Sequence, residues 1–483
     1  MKILVLQLAR LGDIYMSWPA IRALRRKFPE AEVHVLTRPR FATAFEGLTS
    51  VHKVHQLPTK EILAPLVQPK MEVQESFDLL SVFVDQLHHE AYDKIYNFSF
   101  SPLSSYLTHY ISNSATEVCG YTRFKDGFFA IPDDMSAYFY AQVGIDRPNR
   151  FHLIEIFSSL VGSDLTPDDF RPPHPMPSCS KNLPREYIAV HIGASESTKT
   201  LSAEKWTQIL QILHQQTALP FVLIGSEGEA LIGKHITEMM ELGSVHNLVG
   251  QTKLTELFPI IKGARVLIGC DSAPMHMATL TNTPCVNISL ASVNFWETGP
   301  RSMDSVIVRA KTEEDLSSEK VATVIYRNLN GEKQDLSVIH TTAGTPSYSA
   351  FTPKSADFEW LFLRALYMAE DFPSNDDPNF VDAIVQMAEI NQIMLQQMGN
   401  VDRSGDVAKA APFIERGEEI IETIAKLVPA TQSLVRWYQT EKVRIPPADM
   451  KTILQRTMEI HDLFQKVLDL YKNSTRTPEK ELR

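Results

Sequence analysis

Cysteine is scarce in this chain: four in 483 residues, at Cys119, Cys179, Cys270 and Cys285, with no C-x-x-C among them. A disulfide frame and a zinc site are therefore not expected, and a reducing cytoplasm is. An excess of positive charge is also missing, since 47 Lys and Arg face 58 Asp and Glu for a formal net charge of −11. That balance argues against a general nucleic-acid binder. No apolar run approaches the roughly 20 residues needed to span a bilayer. The apolar stretch near residue 1 is short and interrupted by Arg10 and Asp13, so it reads as strand plus helix rather than as a signal peptide. Finally, no G-x-G-x-x-G follows any strand-like run, which counts against a nicotinamide oxidoreductase.

What is present is an alternation. Hydrophobic residues make up 44% and charged residues 22%, as in ordinary globular proteins. "KILVL" reads as a buried parallel strand, "IYMSWPAIRALRRKF" as a helix and "EVHVLT" as the next strand, a βαβ unit. Strand-like and helix-like runs then alternate through "KIYNFSF" to "RFHLIEIFSSLVG", giving a first Rossmann-like domain over 1–165. "SDLTPDDFRPPHPMPSCSKNLPRE" holds six prolines and no periodicity, and 166–184 is read as a linker. From "YIAVHIG" the alternation restarts and carries a second Rossmann-like domain over 185–335. A linker at 336–355 leads to a helical extension, 356–483, of open role. There Met450, Ile453, Thr457, Ile460, Phe464, Val467 and Tyr471 recur every three or four residues as one apolar stripe. The Met-rich helix nearby reads as core, with a partner groove as the sharper alternative.

Three turns and one loop carry the chemistry. In "ARLGD" a single carboxylate, Asp13, opens the first helix; alone, it reads as a helix cap. "HIGASESTKTLSAEKW" sets Ser195 and Lys199 at a strand's carboxyl end, a hydroxyl and an ammonium suited to phosphate, although a lone Lys199 reads as a surface lysine. "LIGSEGEALIGK" sets Gly225 and Gly228 around a strand-to-helix turn with Glu227 and Glu229 at the helix start, where a carboxylate either complements a helix dipole or accepts ribose hydroxyls. In "VLIGCDSAPMHMATL" a buried strand meets a helix whose first turn includes Pro274 and His276. Its free N–H groups suit a diphosphate. Asp271 alone reads as a cap and His276 alone as a structural residue.

Taken in order, "ILVLQLARLGDIYMSWPAIRALRRKFPEAEVHVLT", "HIGASESTKTLSAEKW", "LVGQTKLTELFPIIKGARVLIGCDSAPMHMATLTNTPCV" and "WETGP" resemble glycosyltransferase family 9, the ADP-heptose:lipopolysaccharide heptosyltransferase-like pattern, over residues 1–310. The resemblance implies an α/β, GT-B fold, with two Rossmann-like doubly wound domains facing a cleft, and a bacterial, metal-independent transfer with inversion. It implies no cofactor beyond a nucleotide-sugar co-substrate, ADP-heptose or a relative. By motif, Asp13 matches the general base. Ser195 and Lys199 match donor-phosphate contacts, Lys199 also serving catalysis. Glu229 matches a ribose-binding glutamate, and Asp271, Ser272, Ala273 and His276 the donor motif. Because a helix N-terminus favours the ionised carboxylate, Asp13 is expected to be a weakened base.

The chain departs from the pattern in three places. Ala273 stands where the donor motif has glycine, narrowing the approach of phosphate to the backbone. Asn97, Phe98, Ser99 and Phe100 replace the usual acceptor-side segment, so Gly12, Asn97 and Ser99 are the expected contacts to an acceptor that is a glycan, glycolipid or protein. The all-α extension is not a standard family part. Oligomerisation through its helices, a protein acceptor and peripheral association with the inner face of the cytoplasmic membrane are its open roles. The competing reading is a catalytically inactive nucleotide-sugar-binding protein whose helical tail mediates interactions.

Overall fold

The computed structural model describes residues 1–194, 196–241, 243–334, 339–340, 358–404 and 407–474. Ser195 and nearly all of the 336–355 linker therefore lie outside the described residues. The chain forms two compact units: Met1–Ser99, Tyr110–Cys119 and Asn149–Thr352 make one, and Phe100–His109, Gly120–Pro148 and Pro353–Arg483 the other.

The first unit holds both Rossmann-like halves. Strands β1 (Lys2–Leu6), β2 (Glu32–Thr37), β3 (Lys53–Gln56), β4 (Lys94–Asn97) and β5 (Glu117–Cys119) form a parallel sheet in the order β3-β2-β1-β4-β5. The hairpin β6 (Thr122–Arg123) and β7 (Phe129–Ala130) belongs to the other unit. Strands β8 (Ile188–His191), β9 (Phe221–Ile224), β10 (Val245–Asn247), β11 (Val266–Cys270), β12 (Cys285–Ser289), β13 (Val306–Arg309) and β14 (Ile339–His340) form the second sheet, ordered β10-β9-β8-β11-β12-β13-β14 and parallel except for β14. Inner strands such as "VLIGC" and "CVNIS" are buried throughout, as parallel strands covered on both faces must be. In each sheet the chain leaves the central strand, β1 or β8, toward one side and later returns on the other. The carboxyl ends of β1 and β8 are thus the places where a crevice opens.

The proline-rich linker is pinned down. Arg22 donates to the carbonyls of Asp169 (2.9 Å), Arg171 and Pro172 (3.1 Å), and Arg26 pairs with the Asp169 carboxylate at 2.9 Å. Prolines remove donors and leave carbonyls bare, and arginines on the helix Leu11–Lys27 take them up.

In the second unit the structure departs from the periodicity reading, which assigns 100–148 to the first Rossmann-like domain. The helix Asp134–Gln142 buries Met135, Tyr138, Ala141 and Gln142 among C-terminal helices. Gln142 donates to the Tyr367 hydroxyl (2.8 Å) and the Ser433 carbonyl (2.9 Å), and Arg444 pairs with Asp134 at 2.7 Å. The strand–helix alternation reading names neither this helix nor its partner. The helices Phe358–Met368, Pro378–Ser404, Val407–Leu427, Gln432–Val443 and Met450–Ser474 share one apolar core. Met387, Met394 and Met398 are fully buried, so the Met-rich face is core. On the last helix Ile460, Phe464, Val467 and Tyr471 are buried, while Met450 at its start is exposed. Among the described residues no helix is long and apolar enough to cross a membrane.

Candidate active site

Asp13 is the third residue of the helix Leu11–Lys27, not its cap; Arg10 holds the cap position with extended backbone. The carboxylate reaches back to accept the Arg10 N–H at 2.9 Å through one oxygen, and the other takes no hydrogen bond among the described residues. Capping and cleft exposure are therefore compatible. Burial raises the Asp13 carboxyl above its ordinary 3.8, and the charge of Asp271 adds to this; the N–H and guanidinium of Arg10 and the ammonium of Lys199 pull the other way. The sequence-based expectation of a weakened base has the wrong sign, because desolvation outweighs the helix terminus.

The facing wall comes from the second sheet. After β8 a short turn, Ser197–Lys199, brings the largely buried Lys199 ammonium 4.0 Å from Asp271 Oδ2 and 3.7 Å from Glu196 Oε1. Asp271 follows β11 directly and accepts the Thr298 hydroxyl at 2.7 Å through Oδ1. Ser272 caps the helix Ala273–Thr281 by position only. Its hydroxyl lies 3.0 Å from both the Cys270 carbonyl and His191 Nδ1 and leaves the helix N-terminus uncapped. Pro274 has no N–H to strand there.

His276 is buried, and burial lowers it to about 4, so its ring is neutral. It packs on Gly12: a β-carbon at Gly12 would stand 2.9 Å from His276 Cδ2. Glu229 ends the turn Glu227–Glu229, and its Oε2 accepts both the N–H and the hydroxyl of Ser226 at 2.6 Å. Gly193 makes room for that carboxylate, since a β-carbon there would meet Glu229 Oε1 at 2.7 Å.

One cavity of about 660 Å³ collects Gly12, Asp13, Lys199, Glu229, Asp271, Ser272, Ala273 and His276. Asn97 and Ser99, expected on the acceptor side, do not line it. Asn97 is fully buried and its Oδ1 accepts the Ser99 N–H at 3.0 Å. The Ser99 hydroxyl accepts the Leu8 N–H at 2.8 Å and donates to the Leu6 carbonyl at 3.3 Å. Both brace the turn leading to Asp13.

The cavity also includes Arg10, Asn294, Glu297 and Thr298, which sequence reasoning passes over. Glu297 stands in "WETGP", read only as a boundary mark. Burial raises its carboxyl, hydrogen bonds with Asn149 and Asn294 oppose this, and Asp13 and Asp271 push it further up. The available signal is its position shortly after the carboxyl end of β12, where such folds gather ligand groups.

Comparison with known proteins agrees with this geometry. Residues 163–324 match the family model for glycosyltransferase family 9 (heptosyltransferase). Lipopolysaccharide heptosyltransferase 3 of Escherichia coli is 23% identical over 346 residues, 65% of this chain and 94% of that protein. Lipopolysaccharide heptosyltransferase 1 of Campylobacter coli is 20% identical over 333 residues, 64% and 90% of the two chains. Among solved structures, E. coli heptosyltransferase WaaC with ADP aligns with TM-score 0.51 at 15% identity, over 68% of this chain and all of that one. A family 9 glycosyl transferase from Veillonella parvula gives TM-score 0.51 at 16% identity, over 68% and 97%. The two Rossmann-like halves are thus similar to those of solved family 9 heptosyltransferases, and the second of them carries the match to the family 9 model.

Proposed function

We propose that the chain moves a heptose or similar sugar from an ADP-activated donor to a hydroxyl of a lipopolysaccharide-core-like or other glycan or protein acceptor. In this reading the anomeric carbon inverts and no metal ion takes part. One observation carries it: a single cavity joins a carboxylate from the carboxyl end of β1, Asp13, to a polar cradle from the carboxyl ends of β8 and β11.

Inversion requires a base on one face of the anomeric carbon and a stabilised leaving group on the other. Asp13, raised by burial, is better matched to taking a hydroxyl proton than an ordinary aspartate, because general-base strength rises with pKa. Lys199 and the uncapped N-terminus of Ala273–Thr281 provide positive potential for the departing nucleoside diphosphate. Glu229 keeps Oε1 for ribose hydroxyls, its Oε2 being engaged by Ser226. Asp271 and Glu297 are acceptors for sugar hydroxyls, and their crowding with Asp13 suits the neutral, donor-rich sugar at that end while the diphosphate lies toward Lys199 and the helix N-terminus.

The test pairs ADP-heptose with a panel of glycan and protein acceptors, reading product by mass spectrometry and anomeric configuration by NMR. Asp13→Ala is expected to lose at least about 100-fold in turnover while donor affinity by calorimetry is unchanged, and Lys199→Ala is expected to weaken donor binding. Full turnover by Asp13→Ala removes the assigned base. Tight donor binding with neither transfer nor hydrolysis favours the inactive binding protein.

A further inference from the structure

Away from the cleft, the first Rossmann-like half brings two histidines, a tyrosine and a glutamate together. None of them lines the active-site cavity. His34 lies on β2 and His55 on the edge strand β3, and Glu90 and Tyr92 stand just before β4. His34, His55 and Glu90 each offer one ligand atom, and the three atoms fall within 4.8 Å of one another. The Tyr92 hydroxyl is 2.9 Å from His34 Nδ1 and 3.1 Å from His55 Nε2, and the two ring nitrogens are 3.2 Å apart.

We propose that His34, His55 and Glu90 form a binding site for a zinc-class divalent cation, with the Tyr92 oxygen beside it as fourth neighbour. Four features of the cluster argue for this. First, the ring is oriented. His34 Nε2 lies 3.0 Å from the Glu32 carboxylate, which only accepts, so Nε2 carries a proton and Nδ1 is the nitrogen turned to the cluster. A ring nitrogen ligand whose other N–H is held by a carboxylate is the usual arrangement at metal-binding histidines.

Second, the polar atoms form a triangle with sides of 2.9, 3.1 and 3.2 Å. With both rings neutral, only the tyrosine O–H and one N–H of His55 are available, so at most two sides are hydrogen bonds. A cation about 2.1 Å from each ligand in tetrahedral array holds its ligand atoms roughly 3.4 Å apart. Small side-chain adjustments therefore satisfy all three atoms at once.

Third, the fixed members are buried and the others reach solvent. His34 and Tyr92 are almost wholly enclosed, whereas His55 and Glu90 are partly exposed. That gives a preformed wall and an entry side. Fourth, Glu90 is oriented by Lys2 and Lys53, one at each oxygen, at 2.6 Å. Each carboxylate oxygen has a second lone pair. Two histidine nitrogens and a carboxylate oxygen form a donor set that suits zinc. The cation would clip β2, β3 and the entry to β4 together.

The test uses the full-length chain, stripped with a chelator and titrated with Co²⁺ and then Zn²⁺. One equivalent of Co²⁺ is expected to bind with d–d absorption, to be displaced by Zn²⁺, and to raise the melting temperature. His55→Ala, on an edge strand, and Glu90→Gln, partly exposed, are each expected to weaken binding at least about tenfold, and His214→Ala, remote from the cluster, to leave it unchanged. Either variant alone suffices if the other does not fold. No stoichiometric binding, or equal binding by the parent, His55→Ala and Glu90→Gln, overturns the site and leaves a hydrogen-bonded knot. Metal content is independent of sugar transfer, so the two readings stand or fall separately.

Discussion

Asp13 shows how far one residue can be read from its sequence neighbourhood. A carboxylate in the first turn of a helix is legible from "ARLGD"; that it stands third in the helix and accepts the N–H of Arg10, which holds the cap position, is not. Its environment is not legible, because Lys199 and Asp271 join it in one cavity from strands far along the chain. Burial there moves the carboxyl up, opposite to the direction in which a helix terminus alone would move it. Gly12 has a similar history: its lack of a side chain accommodates the His276 ring, a packing reason no local pattern announces. The sign of the Asp13 shift has consequences. A carboxyl raised in the folded state contributes stability that is full below its unfolded pKa and lost as pH rises through the folded value. Ionising Asp13 is therefore a cost to the fold, retained for chemistry. Asp13→Asn is expected to melt no lower than the parent at pH 7 while turnover collapses. The acid limb of the parent's pH–rate profile is expected above the ordinary aspartate value of 3.8. A clear drop in melting temperature for Asp13→Asn, measured by calorimetry at pH 7, would make the carboxylate a stabilising cap instead.

At the scale of elements, apolar periodicity reads well because burial sets it. The inner strands of both sheets follow their sequence patterns closely, and so does the carboxyl-terminal part of the stripe on Met450–Ser474, from Ile460 to Tyr471. Polar knots inside those elements escape the pattern. In the helical unit, His461 accepts no solvent: its Nδ1 is 2.7 Å from Asn391 Oδ1 and its Nε2 2.8 Å from the Tyr438 hydroxyl. Asn391 also donates to the His461 carbonyl and to Gln465, both at 2.9 Å. Buried polar groups must be paired, and this knot fixes how the helices Pro378–Ser404, Gln432–Val443 and Met450–Ser474 meet. Burial lowers His461 from 6.5 to about 3, with Lys442 adding to the effect. A histidine held neutral in the fold stabilises above its unfolded value and loses that contribution as pH falls from 6.5 toward 3. The helical unit is expected to lose up to about 3 kcal/mol between pH 7 and pH 4 through this group. His461→Gln, less stable than the parent at pH 7, is expected to narrow the gap at pH 4 in urea unfolding followed by circular dichroism. An unchanged gap would place the acid sensitivity elsewhere.

At the scale of the whole molecule, the chain order and the compact units disagree. A reader of composition places the last boundary near residue 340, where strand signals end and a Thr-, Ser- and Pro-rich stretch intervenes. Yet the second unit recruits Phe100–His109 and Gly120–Pro148 from within the amino-terminal half. The helix Asp134–Gln142 buries Tyr138 edge-to-face on Tyr367 at 5.4 Å and satisfies Gln142 from Tyr367 and Ser433. Periodicity does not single out that helix, and the surface it packs on is more than two hundred residues away. The extension is therefore a structural partner of this inserted segment and not a detachable tail. Ending the chain after residue 335 would expose Met135, Tyr138 and Ala141 and leave the Gln142 amide without its partners. Each large apolar side chain so exposed forfeits about 1.5–3 kcal/mol, and an amide stripped of its buried partners a further 1 kcal/mol or so. The shortened chain is expected to give little soluble protein and to melt well below the full chain. Coexpressing 353–483 as a separate polypeptide is expected to restore soluble, co-purifying material. If instead the shortened chain alone is monomeric, melts as the full chain does and transfers sugar at the same rate, Gly120–Pro148 needs no helical cover and the boundary near residue 340 divides the molecule cleanly.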